Sequence, residues 1–204
     1  MRANILTALS RLRASPARYF LDNASGVAAV EMAFIAPVAL TLLCVGFAGG
    51  QTLNLNHKVV LAAHSTTDLV ARSIYIQDPN NPQGELLGYT ALDADIAFSQ
   101  LIMYPDANGT LTEVMSELEV NTGNNTGVVV WSRPSPGATG LPIGTVITLD
   151  PSYSATGANY LLYGQVNYTF QPLGGLLSLP PITLSSTETL TIRNAPQIDL
   201  DPNS

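Results

Sequence analysis

Between Val27 and Gly50 the only ionisable carboxyl is Glu31; apart from Thr41 and Cys44, the rest of that run is aliphatic, aromatic or small. An acid inside a bilayer costs about 2.5 to 3.5 kcal/mol at the centre and less near the edge, so Glu31 is costly without forbidding insertion. Two kinds of chemistry fit it. Near the start of a helix it can reach headgroup water, where the helix dipole also favours an anion. Alternatively it can pair with a cation, since a charge in an apolar medium is tolerable when it is partnered.

Other reactive side chains are sparse. His57 and His64 stand seven residues apart and so share a helix face, but metal pairs on a helix come at three or four residues and no third ligand is near, so both are expected on the surface. Asp93 and Asp95 could form a carboxylate pair for acid and base work, yet no basic or nucleophilic partner accompanies them. They fit better as acids near a helix start, where Thr90 and Asp93 make a weak capping pattern. Cys44 is the only cysteine, so no intramolecular disulfide forms, and Leu43 ahead of it is too large for the lipid-attachment pattern. There is no nucleophile elbow, phosphate loop or metal-ligand set. The expectation is a protein without catalytic residues, metal or cofactor.

These residues must be positioned by a membrane helix and a head. The run from Val27 to Gly50 would rise roughly 36 Å as a helix against a hydrocarbon core of about 30 Å, enough to span with some tilt. Half of the eight basic residues, Arg2, Arg11, Arg13 and Arg18, precede Gly26, and of the 15 acids only Asp22 does. That asymmetry sets the N-terminus in the cytoplasm and the remainder across the membrane. The net charge of −7, with no cluster of bases after Arg18, argues against nucleic-acid binding. The chain therefore reads as a basic leader (1–26), a transmembrane helix (27–50) with Pro37 as a kink, and an exported head (51–204) of one-domain size.

The helix is expected to continue past Gly50 as an amphipathic segment to about Tyr75. Its apolar stripe is read as Val59, Val60, Ala63, Val70 and Ile74, with Leu53 and Ala62 beside them. A loop follows at Asp78–Gly84, then a second helix from Thr90 to Tyr104, stopped by Pro105. Beyond it, alternation and turn residues predict strands: Leu111 to Val120, a return from Val128 through Trp131 after an Asn/Gly/Thr turn, and Thr145 to Leu149. Two longer ones follow, from Tyr160 to Phe170 and from Ile182 to Arg193. The predicted class is α+β, a long N-terminal helix packed on a C-terminal antiparallel sheet.

A basic leader, then Gly26, four small or apolar residues, Glu31 and an apolar helix resembles the processing site of type IV prepilins and pseudopilins. Met32 stands where that family often has Phe or Tyr. The spelling Gly-Val-Ala-Ala-Val-Glu-Met-Ala-Phe-Ile-Ala-Pro is similar to the TadE/TadG-like group of tight-adherence pilus assembly proteins. So are Ala62–Arg72 and a C-terminal patch made of Val166–Leu173, Ile182–Ser185 and Ile192-Arg193. The chain carries no Asp-x-Ser-x-Ser for the metal site of a von Willebrand-type domain, which favours the TadE-like side.

The resemblance implies that a prepilin-type peptidase cuts after Gly26, making Val27 the N-terminus and Glu31 the fifth residue. It implies a minor pilin-like (pseudopilin) subunit of a tight-adherence type IV pilus, held in the bacterial inner membrane with its head in the periplasm. Its implied partners are other pilin-like subunits and the pilus assembly machinery, and Glu31 serves helix pairing during assembly. The alternative is an uncleaved, membrane-anchored periplasmic interaction module that never enters a filament. Cleavage near Ala48-Gly49-Gly50 by the general secretory route is a third fate for the leader.

Overall fold

The computed structural model describes residues 24–73, 76–77, 84–106, 109–155, 157–175 and 179–201. The leader 1–23, the loop at 78–83, the turn at 107–108 and the expected helix end at Ile74 and Tyr75 lie outside these residues. The chain divides after Gly49 into two compact units.

Helix α1 runs Ala24–Arg72, with Pro37 inside it. It ends three residues before the predicted Tyr75, because its last carbonyls are taken up by the far end of the chain. Arg193 N–H donates to Ala71 O at 3.1 Å, and the Asn194 amide donates to Arg72 O at 2.9 Å. This satisfies groups that a helix end otherwise leaves unpaired.

In the head, the buried face of α1 is Leu55, Val59, Ala62, Ala63, Thr66, Thr67, Val70 and Ala71, repeating at the three- and four-residue steps of one helix face. The predicted stripe needs correction at two positions, since Leu53 and Val60 are exposed. Two threonines sit on the buried face because each donates its hydroxyl proton one turn back, Thr66 to Ala62 O at 2.8 Å and Thr67 to Ala63 O at 2.7 Å.

After α1 come β1 (Ile76–Gln77), β2 (Gly84–Gly88), helix α2 (Tyr89–Met103), β3 (Gly109–Asn121), β4 (Thr126–Pro134), β5 (Val146–Thr148) and the short helix α3 (Pro151–Ala155). The described chain finishes with β6 (Tyr160–Phe170), a 3-10 turn at Pro172–Gly175, β7 (Ile182–Thr191) and β8 (Gln197–Asp201). Five strands form an antiparallel sheet in the order β5-β4-β3-β6-β7. The α+β class is therefore as predicted. A second sheet, β1-β2-β8, was not expected, and its β2–β8 pair is parallel.

Along β6 the predicted alternation holds: Val166, Tyr168 and Phe170 are buried, packed with Leu55, Val59, Ala62 and Ala63 of α1. A second cluster joins Val70 and Ala71 to Leu92, Ile96, Met115, Trp131 and Ile198. A third, formed by Leu118, Val129, Leu149 and Leu161, lies under β5 and α3. The predicted cap of α2 is not made. Its N-cap is Gly88 with no side-chain cap bond, and the Asp93 carboxylate is held by the Arg133 guanidinium of β4 at 2.9 and 2.7 Å.

Candidate functional site

The residues singled out at the N-terminus lie on the first turns of α1. Val27, Val30, Met32, Phe34 and Ile35 are more than half exposed, and so are the large apolar side chains from Val38 to Phe47. The segment is one helix long and apolar enough to cross a membrane. Val27 and Glu31 stand one turn apart, and Glu31 makes no ion pair among the described residues. A side chain built at Gly26 would meet nothing within 4 Å. Packing therefore does not demand a glycine there, although glycine costs a helix about 1 kcal/mol relative to alanine. Pro37 supplies no N–H, so the carbonyl four residues back loses its helix bond, and Thr41 Oγ donates to Pro37 O at 2.8 Å.

His57 and His64 are both exposed, as expected from their spacing. His64 Nδ1 lies 3.4 Å from Glu188 of β7. No set of three His, Cys, Asp or Glu among the described residues could hold a metal ion. Asp93 and Asp95 part company. The Arg133 guanidinium draws the Asp93 carboxyl below its ordinary range, and burial raises that of Asp95, countered by a hydrogen bond from Ser73 at 2.9 Å.

The sequence reading missed the head's most unusual chemistry. Glu113 and Glu117 of β3 are fully buried. With Met115 between them they share one strand face, the one turned to the helices and β8. Glu113 lies beside the hydroxyls of Thr66 and Ser99. Those hydroxyls already donate to carbonyls of their own helices, the Ser99 one to Ile96 O at 2.8 Å, so neither carboxyl oxygen of Glu113 receives a hydrogen bond. A neutral carboxyl solves this by donating its own proton to a hydroxyl oxygen. Burial accordingly pushes Glu113 up to about 7.

Glu117 does a different job. Its Oε1 accepts the Ile198 N–H at 2.8 Å while Trp131 Nε1 donates to Ile198 O at 2.8 Å, so both backbone groups of one β8 residue are held by side chains of the large sheet. Its second oxygen has no partner, and burial, reinforced by Asp199, pushes the group up to about 8. Two carboxyls four residues apart within the run Val114, Met115 and Leu118 are the sequence signal that could have flagged this seam.

Two glycines let the layers close. A Cβ on Gly164 of β6 would overlap Thr67 Oγ, and one on Gly109 would overlap the Tyr168 ring. Tyr168 OH then reaches Asp106 O at 2.8 Å, and Asp106 forms an ion pair with Lys58 of α1.

No curated protein and no solved structure matches the chain. Residues 26–68 match the family model described as TadE-like protein. That stretch holds the Gly26–Pro37 motif and the second patch as far as Asp68, whereas the C-terminal patch lies beyond it. Helix α1 from Gly26 to Asp68 is thus similar to a TadE-like segment.

Proposed function

We propose that the chain is a minor pilin-like subunit of a tight-adherence type IV pilus. It is held in the bacterial inner membrane by residues 27–50, its N-terminus starting in the cytoplasm and its head in the periplasm. A prepilin-type peptidase removes the leader after Gly26, and the α-amino group created on Val27 pairs with Glu31 of its own or a neighbouring helix. Pro37 kinks the span so that apolar helices can pack around that pair. The protein carries no catalytic residue of its own.

The observation that carries this reading is Gly26, a glycine on the helix that matches the TadE-like family, where packing makes no demand for one. Gly46, Gly49 and Gly50 of the same helix are equally uncrowded, and what sets Gly26 apart is its place at the start of the matched stretch, behind the basic leader and five residues before Glu31. The exposed apolar face from Val27 to Phe47 supports the membrane part. The test is the intact mass of the protein extracted from membranes of cells with and without the peptidase. A mass beginning at Val27 only in the first supports the pilin reading. A full-length mass in both would make the chain an uncleaved membrane-anchored module.

A further inference from the structure

Helix α2 is apolar on both of its sides. Leu92, Ile96, Ser99 and Met103 make its buried face. The opposite side carries Ala91, Ala94, Phe98 and Leu101, flanked by Ala97 and Tyr104, and all six are exposed. Leu101 and Tyr104 are 70% and 79% exposed, where a surface helix ordinarily turns polar residues to solvent. The acids beside this stripe are engaged within the chain: Asp93 by Arg133, Asp95 by Ser73 and Asp106 by Lys58. The order 91, 94, 98, 101 is the alternating three- and four-residue step of a coiled-coil seam.

The geometry points to this stripe as the docking face for a second copy of the chain, the two α2 helices lying parallel about a twofold axis. Each seam position then meets its own counterpart, so alanine faces alanine, Phe98 faces Phe98, Leu101 faces Leu101 and no charge faces a charge. Direction favours a second copy over other occupants. Ser73 donates to Asp95 at 2.9 Å and Lys58 to the Tyr104 carbonyl at 3.2 Å, so α2 runs antiparallel to the head part of α1. A twofold axis along α2 therefore runs along that part of α1 as well, and the Gly50 ends of both copies leave the pair in the same direction. Two chains held in one membrane require that. The stripe lies along α1 and not across its Gly50 end, so a neighbour standing beside the head reaches it and a lipid surface met at that end does not. Because the head already holds α2 helical, association orders no further backbone. A seam of two heptads is a small contact, so the pair is weak and depends on a high local concentration. The inference goes beyond the pilus reading and holds equally for an uncleaved, anchored chain.

The test uses the full chain in detergent micelles with Cys44→Ser as background and a short bismaleimide as crosslinker. Ala91→Cys and Ala94→Cys should each give a covalent dimer by themselves, and Ser185→Cys, exposed on β7, should not. Adding Leu101→Lys, which sets two cations face to face, should abolish the Ala94→Cys crosslink, and Leu101→Glu should do the same with two anions. Mixing the lysine and glutamate chains should restore it. Circular dichroism of each variant checks that the head remains folded. Folded Ala91→Cys and Ala94→Cys chains that stay uncrosslinked would overturn the proposal. So would a crosslink that survives both Leu101 substitutions, or one as abundant in Ser185→Cys. Ala91→Cys crosslinking only when mixed with Leu101→Cys would mean that the helices meet antiparallel, which overturns it as well.

Discussion

Glu117 Oε1 accepts the backbone N–H of Ile198 at 2.8 Å, so a buried acid in the middle of β3 anchors the strand β8. The bond survives either protonation state, but only the neutral carboxyl avoids leaving a charge with a partnerless oxygen in the core.

Stability should therefore fall as pH rises. Glu113 and Glu117 have folded values raised to about 7 and about 8 from an ordinary 4.5. Below 4.5 both states hold the proton and no difference arises. Between 4.5 and 8 the unfolded chain releases protons that the folded one keeps, so the folded state binds more and loses stability with pH. On the order of 3 kcal/mol per group is at stake. Thermal unfolding followed by circular dichroism should give a higher Tm at pH 5 than at pH 8.5. Glu117→Gln should flatten much of that slope, and an unchanged slope in Glu113→Gln/Glu117→Gln would exclude these groups as its source.

Replacing Gly164 by alanine should push α1 away from β6, because the added methyl would overlap Thr67 Oγ. Overpacking of this kind costs about 1 to 3 kcal/mol. Thr67→Ala/Gly164→Ala should recover part of the loss by clearing the hydroxyl from the contact. Denaturant midpoints of the three variants measure it, and a double mutant no better than Gly164→Ala would show that the clash lies elsewhere.

Gly26→Leu should retain the leader. Because no neighbour lies within 4 Å of that position, the fold should be unaffected and the membrane fraction unchanged. Immunoblotting for a size shift in a peptidase-positive strain gives the result. Normal processing of Gly26→Leu would remove the glycine from the recognition element.

Glu31→Ala separates the two readings of that acid. An interfacial bystander can be lost without effect or with better insertion. If Glu31 pairs with the Val27 amine, its removal strands a cation, at a cost of about 3 to 5 kcal/mol when the pair is buried. Membrane anchoring should persist while piliation and surface adherence are lost. Normal pili at normal protein level would return Glu31 to the bystander role.

Elements with their own periodicity were legible before any coordinates. The alternation in Tyr160–Phe170 located β6 to the residue, and the apolar repeat placed α2 within one residue at each end. What escaped was set by partners far along the chain. β2 and β8 are five residues each and pair only with remote segments. The buried acids escaped because a glutamate in a strand ordinarily reads as solvent-facing; only the hydroxyls of Thr66 and Ser99 and the peptide of Ile198 make their burial tolerable. Leu53 and Val60 were placed on the wrong side because the true stripe includes Thr66 and Thr67, which a hydrophobic count passes over.

The parallel pairing of β2 with β8 makes the head slow to close. Parallel partners cannot be joined by a tight turn, and here nearly the whole head intervenes between Gly84–Gly88 and Gln197–Asp201. Contacts of such long sequence separation form late. Until residues 197–201 have left the ribosome, Trp131 and Glu117 have no peptide to grip and the carbonyls at the end of α1 have no donors from 193–194. The grip of Glu117 and Trp131 on Ile198 and the capping of the α1 carbonyls are therefore the last contacts of the described head to become available as the chain is made.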